Sequence, residues 1–266
     1  MNWLRVIAIA SLAILVIPVA VILVDGFGPL QSPAGYSEGV FRSIELTLLS
    51  SAIASIVCVA LFTPLAFYLA RYESKLGETL ADIPASIPHP IIGIAILVLF
   101  SPLTPFGNFM QSIGINVFDS LLGLVIALVV VSAPIYIKAL QPYFQSMNRS
   151  HENFAMGLGA SKLRTFTSVV LPNSTRGILS ASLIAMSRAM SEFGSIAIVA
   201  YEIVNPKFFF GTSPASILIF QLYSYSGLEG AVTASAVMIL VSVSIMLVLR
   251  FVGLGKLPRP QLSVSS

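Results

Sequence analysis

Charged residues are scarce in this chain. Only 9% of its 266 residues are Asp, Glu, Lys or Arg, whereas 56% are hydrophobic, and the mean hydropathy is +0.94. A soluble globular domain carries about 25% charged residues. A chain this poor in charge could not cover its own surface in water. The sequence therefore excludes an ordinary soluble domain and predicts that lipid surrounds most of the protein.

Cysteine and histidine are also scarce, which removes several kinds of chemistry. The one cysteine, Cys58, cannot form a disulfide within the chain or a cysteine metal site. The two histidines, His89 and His151, have no cluster of Cys, His or acidic residues beside them in sequence, and we interpret both as structural. The phosphate-binding motif G-x-x-x-x-G-K-[ST] is absent. We expect no catalytic site, no metal, no cofactor and no ATP hydrolysis by this chain itself.

Six long apolar runs dominate the sequence. A spanning helix needs about 20 apolar residues at about 1.5 Å each. The first run is longer than the roughly 7–15 residues of a signal-peptide core, and no A-x-A cleavage site follows it, so we expect it to remain as a helix. The sequence predicts an all-α polytopic membrane protein, a single transmembrane domain over residues 1–266, with six transmembrane helices at about 4–24, 44–69, 83–100, 121–137, 177–200 and 230–252.

The positions of lysine and arginine predict the orientation of these helices. With the N-terminus in the cytoplasm, eleven of the 14 Lys and Arg residues are cytoplasmic, two are outside and one lies within a span. Because positive charges are enriched in cytoplasmic loops, we expect a multi-pass protein of the cell membrane with both termini in the cytoplasm. The cytoplasmic residues are Arg5, Arg71, Lys75, Lys138, Arg149, Lys162, Arg164, Arg176, Arg250, Lys256 and Arg259; Arg42 and Lys207 are outside, and Arg188 is within a span.

Prolines and one short apolar segment interrupt this regular pattern. Each proline removes a backbone donor and disfavours a straight helix. These prolines either kink helices for packing or break helices that line a pathway. An outside stretch, Ala215–Tyr223, is apolar but too short to span, and we predict an interfacial or re-entrant helix there. The prolines in question are Pro18, Pro64, Pro88, Pro90 and Pro134.

The longest cytoplasmic segment, residues 138–176, contains a patterned stretch. Ser150 is suited to cap a short helix, and Gly159 suits a turn. A second apolar run, Phe166–Leu171, follows, and we expect Pro172 to end it. The pattern predicts two short helices around a glycine bend, in water. Such a stretch either folds back onto its own bundle or binds a partner, and the local pattern leaves both open.

The order of residues in this stretch resembles the cytoplasmic loop motif of ABC-importer permeases. That motif is Glu-Ala-Ala, three residues, Gly, and then a fixed gap to an apolar residue and Leu-Pro; here Phe154 stands in place of a small residue. The resemblance implies a type I ABC-importer permease fold in which residues 150–172 are a coupling-helix loop that docks on a separate ATPase subunit. The residues that it assigns to ATPase coupling are Glu152, Phe154, Ala155, Leu158, Gly159, Ala160, Ser161, Phe166, Leu171 and Pro172.

The fifth predicted span carries polar residues at regular spacing. Three serines recur every four residues and share a helix face, and an arginine and a glutamate can pair at the same spacing. Arg188 is twelve residues after Arg176, about 18 Å along a helix, and we therefore expect it near mid-membrane. An unpaired charge there costs about 2.5–3.5 kcal/mol or more. The pattern leaves open a structural ion pair, a wet anion route and a small-residue contact stripe. The residues are Ser187, Arg188, Ser191, Glu192 and Ser195.

A second resemblance lies in the same span, in the run Arg188-Ala-Met-Ser-Glu-Phe-Gly194. It is similar to the corresponding run of molybdate and tungstate importer permeases; sulfate permeases are similar but tend to have Tyr in place of Phe. Supporting runs are Pro64–Arg71, Ile87–Gly93 and Ser132–Pro134, with His89 where Pro is commoner. The resemblance, over roughly residues 40–255, implies the permease subunit of an importer that moves molybdate or tungstate into the cytoplasm by alternating access. Sulfate or thiosulfate is the alternative substrate.

The same resemblance implies a set of partners. They are a second copy of this chain, two ATP-binding subunits and an extracytoplasmic oxyanion-binding protein, all at a lipid bilayer; no nucleic acid is expected. An ion-coupled secondary transporter is a rival of another class, which favours intramembrane acids. Glu192 is the candidate acid, and Arg188 already matches its charge. A membrane-embedded enzyme would need a nucleophile–base pair or a metal cluster, and the sequence contains no pattern of either kind.

Overall fold

The protein is all-α, as the sequence predicts. A computed structural model describes residues 2–72 and 74–255. In this part of the chain, strand-type pairing occurs only as isolated bridges, for example the antiparallel one between Ile203 and Thr212. The α-helices are α1 (Asn2–Gly26), α2 (Glu38–Tyr72), α3 (Lys75–Ser86), α4 (His89–Phe100), α5 (Pro105–Ser112), α6 (Leu121–Ser146), α7 (Ser150–Gly157), α8 (Lys162–Thr165), α9 (Leu171–Asn173), α10 (Thr175–Met190), α11 (Ile196–Val199) and α12 (Ala215–Gly255). A π turn covers Phe166–Val170, and 3₁₀ turns cover Pro33–Tyr36 and Lys207–Phe209.

Four of these helices, α1, α2, α6 and α12, are long and apolar enough to cross a membrane. Helices α3 and α4 pass the same test only together, with an angle of 101° between them. In the described residues, the six predicted spans thus correspond to four long helices, one bent pair and the shorter α10. The polytopic architecture is confirmed. The predicted spans 83–100 and 177–200, however, are not single continuous helices.

The predicted span 83–100 is interrupted at Ile87. Pro88 restricts the residue before it, and Ile87 is extended, with φ −108° and ψ 150°. Helix α4 begins at His89 with Pro90 in its first turn, where a missing N–H leaves no hydrogen bond unmade. The 12 residues of α4 extend about 18 Å. Alone, α4 is therefore shorter than a hydrocarbon core of about 30 Å.

The predicted span 177–200 is interrupted between Met190 and Ile196. Helix α10 ends at Met190, and α11 does not begin until Ile196. Between them, the Glu192 side chain accepts a hydrogen bond from the backbone N–H of Ser195 at 2.9 Å. A side chain that bonds the nearby backbone offers it an alternative to helical hydrogen bonds. Arg188 is therefore in the last turn of a helix, and Glu192 lies just beyond its end.

The chain forms two compact units, of which one contains residues 2–48 and Tyr201–Ile245. Its core is formed by small and branched apolar residues of α2 and α12. The predicted outer segment Ala215–Tyr223 is helical and is the first part of α12. A kink at Gly227, with φ 72° and ψ −160°, separates it from the predicted span 230–252, and glycine adopts this backbone without strain. The core residues are Val40, Ile44, Ala215, Ala234 and Val237.

The other unit contains Leu49–Ala200 and residues 246–255, and α6 is at its centre. The buried side chains of α6 include Leu128, Tyr136 and Leu140, and α3, α10 and α11 pack against it. Helix α10 comes close because Gly177 has no side chain: a Cβ there would lie 2.5 Å from the ring of Tyr143. Helix α11 also packs on α4. This packing brings the two interrupted segments, α3–α4 and α10–α11, beside each other.

Candidate functional sites: the 150–172 loop and a buried charge cluster

The 150–172 loop begins with α7, a helix of 8 residues. The side-chain oxygen of Asn148 accepts a hydrogen bond from the backbone N–H of Ser150 at 2.9 Å. Ser150 is therefore the first helical residue rather than the predicted cap, a shift of the size that is common at helix ends. Glu152 remains in the first turn, where a negative charge is favourable to the helix dipole.

The backbone turns sharply at Gly159, which has φ +88°. Its N–H donates to the carbonyl of Met156 at 2.9 Å, and the N–H of Ala160 donates to the carbonyl of Ala155 at 3.0 Å. These two bonds form the Schellman motif, which satisfies the last carbonyls of α7. The side chain of Ser161 then caps α8. The chain itself therefore sets the angle between α7 and α8.

The prediction that Pro172 ends the second helix of the loop is wrong. After α8, the N–H of Leu171 bonds to the carbonyl of Phe166, five residues back, in the π turn. Helix α9 follows with Pro172 in its first turn, where proline needs no donor. Ser174 then separates α9 from α10. The loop is thus connected to α10 by a nearly continuous helical path, and π turns of this kind are frequent at functional sites.

One side of α7 is anchored by Arg71, at the end of α2. Its Nη2 donates to Glu152 Oε1 at 2.6 Å, and its Nη1 donates to the backbone carbonyl of Phe144 at 2.5 Å. The guanidinium also lies 5.2 Å from the centre of the Phe67 ring, which contacts the rings of Phe144 and Phe166. Both charged side chains are largely buried, so removing one would leave the other poorly hydrated. Helix α7 is thereby joined to the ends of α2 and α6.

The other side of the loop is apolar and exposed. Phe154 and Leu158 are 74% and 90% exposed, and Leu163 is exposed as well. Phe154 and Leu158 line an open depression of ≈ 380 Å³ together with Asn153. Neighbouring exposed apolar side chains, such as Phe154 and Leu158 in this depression, suit contact with a partner. We call Phe154, Leu158 and Leu163 the apolar face of the loop.

The ten residues assigned to coupling from the sequence therefore divide into two groups. The exposed group is available to a partner, whereas the partly buried group positions the loop on its own unit. The exposed residues are Phe154, Leu158, Gly159, Ser161 and Pro172; the partly buried residues are Glu152, Ala155, Ala160, Phe166 and Leu171.

A second candidate site is the ion pair at the end of α10. Arg188 Nη2 donates to Glu192 Oε2 at 2.8 Å. The Glu192 side chain is 1% exposed, and its Oε1 accepts from the backbone N–H and the hydroxyl of Ser195, each at 2.9 Å. The Arg188 side chain is 23% exposed, and its Nη1 donates to Ser191 Oγ at 3.3 Å. The carboxylate is therefore enclosed and hydrogen-bonded on both oxygens, while the guanidinium reaches the surface.

The predicted serine stripe does not continue past the end of α10. Ser187 and Ser191 are exposed and flank Arg188. Ser195 lies beyond the interruption, is buried, and donates to Glu192. A shared hydroxyl face, or a shared small-residue stripe, therefore includes Ser187 and Ser191 but not Ser195.

His89 joins this ion pair from 99 residues away in sequence. Its Nδ1 lies 2.9 Å from Glu192 Oε2 and 2.8 Å from Arg188 Nη2, and its side chain is 30% exposed. The interpretation of His89 as merely structural missed this contact, since nothing in the order of residues relates position 89 to position 192. The available signal was an imidazole within an apolar run, because ionisable groups in a membrane are functional candidates by default. We call His89, Arg188, Ser191 and Glu192 the Arg188 cluster.

The two interrupted segments meet at the Arg188 cluster. A Cβ on Gly194 would lie 2.9 Å from Pro90 Cδ and 3.0 Å from His89 Cβ, so a larger residue would push the segments apart. A Cβ on Gly93, in the next turn of α4, would lie 2.6 Å from the backbone carbonyl oxygen of Ser195. The start of α4 is thus held closely against the break between α10 and α11.

Comparison with known proteins identifies chains that this one resembles. Residues 62–254 match the family described as "Binding-protein-dependent transport system inner membrane component". The chain is 33% identical over 221 residues to the molybdate/tungstate transport system permease protein WtpB of Pyrococcus furiosus, with 82% of this chain and 80% of that protein covered. It is 30% identical to the probable sulfate transport system permease protein cysT of Zygnema circumcarinatum, with 82% and 75% covered. It is 28% identical to the sulfate transport system permease protein CysT of Synechocystis sp., with 90% and 84% covered.

Proposed function

Because this chain belongs to the family of binding-protein-dependent transport system inner membrane components, we propose that it is the permease subunit of an ATP-driven ABC importer for molybdate or tungstate. The observation that carries the proposal is the form of the 150–172 loop. Its first helix is anchored on one side by Arg71 and presents Phe154 and Leu158 on the other. A rigid helix with an exposed apolar face suits a partner that must move the spans. The family implies ATP-binding and substrate-binding proteins as the partners.

In this mechanism the loop carries motion from the ATPase subunits to the spans. A partner shifts an equilibrium only by interacting differently with its two states. ATP binding draws the two ATPase subunits together and displaces the apolar face of the loop. The pair of Arg71 and Glu152 transmits this displacement to α2 and α6, and the π turn transmits it to α10. The path opens outward to receive the anion, and hydrolysis returns it to the inward-facing state.

We place the translocation path at the axis of a homodimer, bordered by Ser187, Arg188 and Ser191. Hydroxyls donate hydrogen bonds to an oxyanion without adding charge, and a path must bind weakly enough to release the ion. The sequence also assigned Glu192 and Ser195 to a path or a buried pair. We propose that these two residues hold Arg188 in place and do not themselves contact the anion. They are enclosed, and the carboxylate of Glu192 balances the charge of Arg188.

Sulfate is the second candidate substrate. Relatives named for sulfate transport are 28–30% identical to this chain, close to the 33% of a relative named for molybdate and tungstate. The three anions are tetrahedral dianions that present the same surface of four oxygens. Phe193, where sulfate permeases tend to have Tyr, favours molybdate or tungstate through the resemblance of the run 188–194. We assign most of the discrimination to the extracytoplasmic binding protein.

Reconstitution tests the proposed function directly. The permease, its ATPase and its binding protein in proteoliposomes should accumulate radiolabelled molybdate only when ATP is supplied on the ATPase side. Excess tungstate should compete with molybdate more strongly than excess sulfate does, because the proposal ranks tungstate above sulfate. Vesicles that lack the ATPase are the matched control. Accumulation in those vesicles under a proton or sodium gradient would refute the proposal in favour of an ion-coupled transporter.

Orientation provides an independent check, because the mechanism requires residues 138–176 to face the cytoplasm. Cys58 is buried, so the native chain should react little with a membrane-impermeant maleimide. Ser150 and Ser112 are both exposed serines on opposite predicted sides. Ser150→Cys should react only in inside-out vesicles, and Ser112→Cys only in right-side-out vesicles. The reverse pattern would contradict the coupling role of the loop.

A further inference from the structure

We infer that His89, Arg188 and Ser191 form a binding subsite for a tetrahedral oxyanion within the permease itself, an inference that rests on the proposed transport function. In the sequence, Arg188 and the serines define a possible polar route but no site. The structure adds a histidine from a different segment and separates the groups that donate hydrogen bonds from the group that balances charge.

The first argument is the unequal burial of the cluster. Glu192 is 1% exposed, whereas Arg188 and His89 are 23% and 30% exposed. The backbone N–H and the hydroxyl of Ser195 each donate to Glu192 Oε1 at 2.9 Å. Taking a charge out of water is costly, and the cluster leaves its cation partly hydrated while its carboxylate is enclosed. Here the carboxylate is enclosed, and the more exposed groups of the cluster are a guanidinium, an imidazole and a hydroxyl.

The second argument is the backbone around the cluster. Both segments that meet there are interrupted, α3–α4 at Ile87 and α10–α11 between Met190 and Ile196. Irregular backbone at membrane depth is tolerated where it is buried in protein or lines a wet cavity. In secondary transporters, discontinuous helices form the sites of substrate and ions, and the same backbone argument applies to any transport path. Gly194 keeps the two breaks in contact, so the donors of both segments converge on one place.

The third argument is the chemistry of the donor set. Arginine offers a planar fork of N–H groups that matches two oxygens of an oxyanion, and a neutral imidazole and a hydroxyl each have a single donor. The Ser191 hydroxyl donates to the backbone carbonyl of Arg188 at 3.0 Å in this structure and would exchange that bond for one to the anion. The present contact of Arg188 Nη1 with Ser191 Oγ, at 3.3 Å, is longer than a typical hydrogen bond and can yield to a charged acceptor. Glu192 cancels the charge of Arg188, so the anion is held mainly by hydrogen bonds. Such a subsite binds weakly, as release into the cell requires.

A pair of substitutions at His89 tests this subsite in the complete transporter. His89→Gln retains a hydrogen-bond donor, whereas His89→Met has a similar length and volume but no donor. At saturating binding protein, we expect His89→Met to lower molybdate uptake per ATP hydrolysed by about tenfold or more, because a hydrogen bond to a charged ligand is lost. We expect His89→Gln to remain within about threefold of the native complex. Stimulation of the ATPase by loaded binding protein should be retained in both variants.

The outcomes separate the subsite from the transport function. If the native complex shows no stimulation of ATPase by the binding protein, the proposed function fails, and the subsite, which rests on it, is refuted with it. If stimulation is normal and both variants take up molybdate like the native complex, the subsite is refuted and the proposed function stands. If both variants lose uptake and stimulation together, His89 only holds the helices in place, which also refutes the subsite. A selective loss of uptake in His89→Met supports it.

Discussion

Replacing Arg188 with methionine should lower the stability of the permease by about 3–5 kcal/mol, because the substitution leaves the enclosed carboxylate of Glu192 without its cationic partner. Ser195 and His89 still contact that carboxylate, but neither carries the permanent charge of a guanidinium. For a chain of this size the loss corresponds to a fall of roughly 10 °C in the unfolding midpoint. Thermal unfolding of the purified permease in detergent, followed by circular dichroism, measures it.

The double variant Arg188→Met/Glu192→Gln is the matched control. It removes both charges, and the amide of glutamine can still accept the hydrogen bonds that Ser195 donates, so most of the stability should return. Glu192→Gln alone should cost less than Arg188→Met alone, because the arginine that it leaves unpaired is partly exposed. If the loss in the double variant equalled the sum of the losses in the two single variants, the pair would not be coupled, and Glu192 would not balance the charge of Arg188.

Arg71→Met should weaken communication between the ATPase and the spans. Stimulation of ATP hydrolysis by loaded binding protein should fall by about fivefold or more, since a coupling free energy of even 1 kcal/mol is lost with the link between α7 and the ends of α2 and α6. The variant removes the bonds to Glu152 Oε1 and to the carbonyl of Phe144 together. ATPase rates of the reconstituted complex, with and without loaded binding protein, measure the effect.

Two further variants show whether this effect is due to the anchor or to a general loss of stability. Lys138→Met breaks an exposed ion pair with Asp82, which contributes at most about 1 kcal/mol, and should leave stimulation unchanged. Arg71→Met/Glu152→Gln should recover stability, because no buried charge remains alone, but should not recover stimulation. Normal stimulation in Arg71→Met would mean that α7 reaches the spans by another route and that the anchor plays no part in coupling.

Much of the 150–172 loop could be predicted from local sequence. A glycine in the left-handed region needs only the absence of a Cβ, and the bend at Gly159 follows from that local property. The predicted cap at Ser150 was displaced by one residue: α7 already begins at Ser150, whose backbone N–H donates to Asn148 Oδ1. The role of Pro172 was misjudged, because the π turn before it places the proline where helix is allowed. Local rules fail where neighbouring turns change the hydrogen-bond register.

The anchor and the Arg188 cluster could be predicted only in part. The spacing of Arg188 and Glu192 predicted their ion pair, because residues four apart in a helix are neighbours on its surface. The spacing did not predict that α10 would end between them, since that depends on the bond from Ser195 to Glu192. Ser195, which the spacing placed on one face with Ser187 and Ser191, accordingly lies beyond the end of α10 and is buried. The partner of Glu152 was not predicted at all, because Arg71 lies 81 residues before it.

The sequence by itself determined that lipid surrounds most of this protein, that its fold is all-α and that it has a patterned loop. Each of these depends on composition or on residues within a few positions of one another. Tertiary structure alone decided that His89 meets Arg188 and Glu192, that Arg71 anchors the loop, and that the polar residues of the fifth segment divide into an exposed face and an enclosed support. The physical reason is that burial and charge pairing are properties of surfaces brought together by packing. Glycines such as Gly194 and Gly177 permit that packing, but their partners cannot be read from the order of the residues.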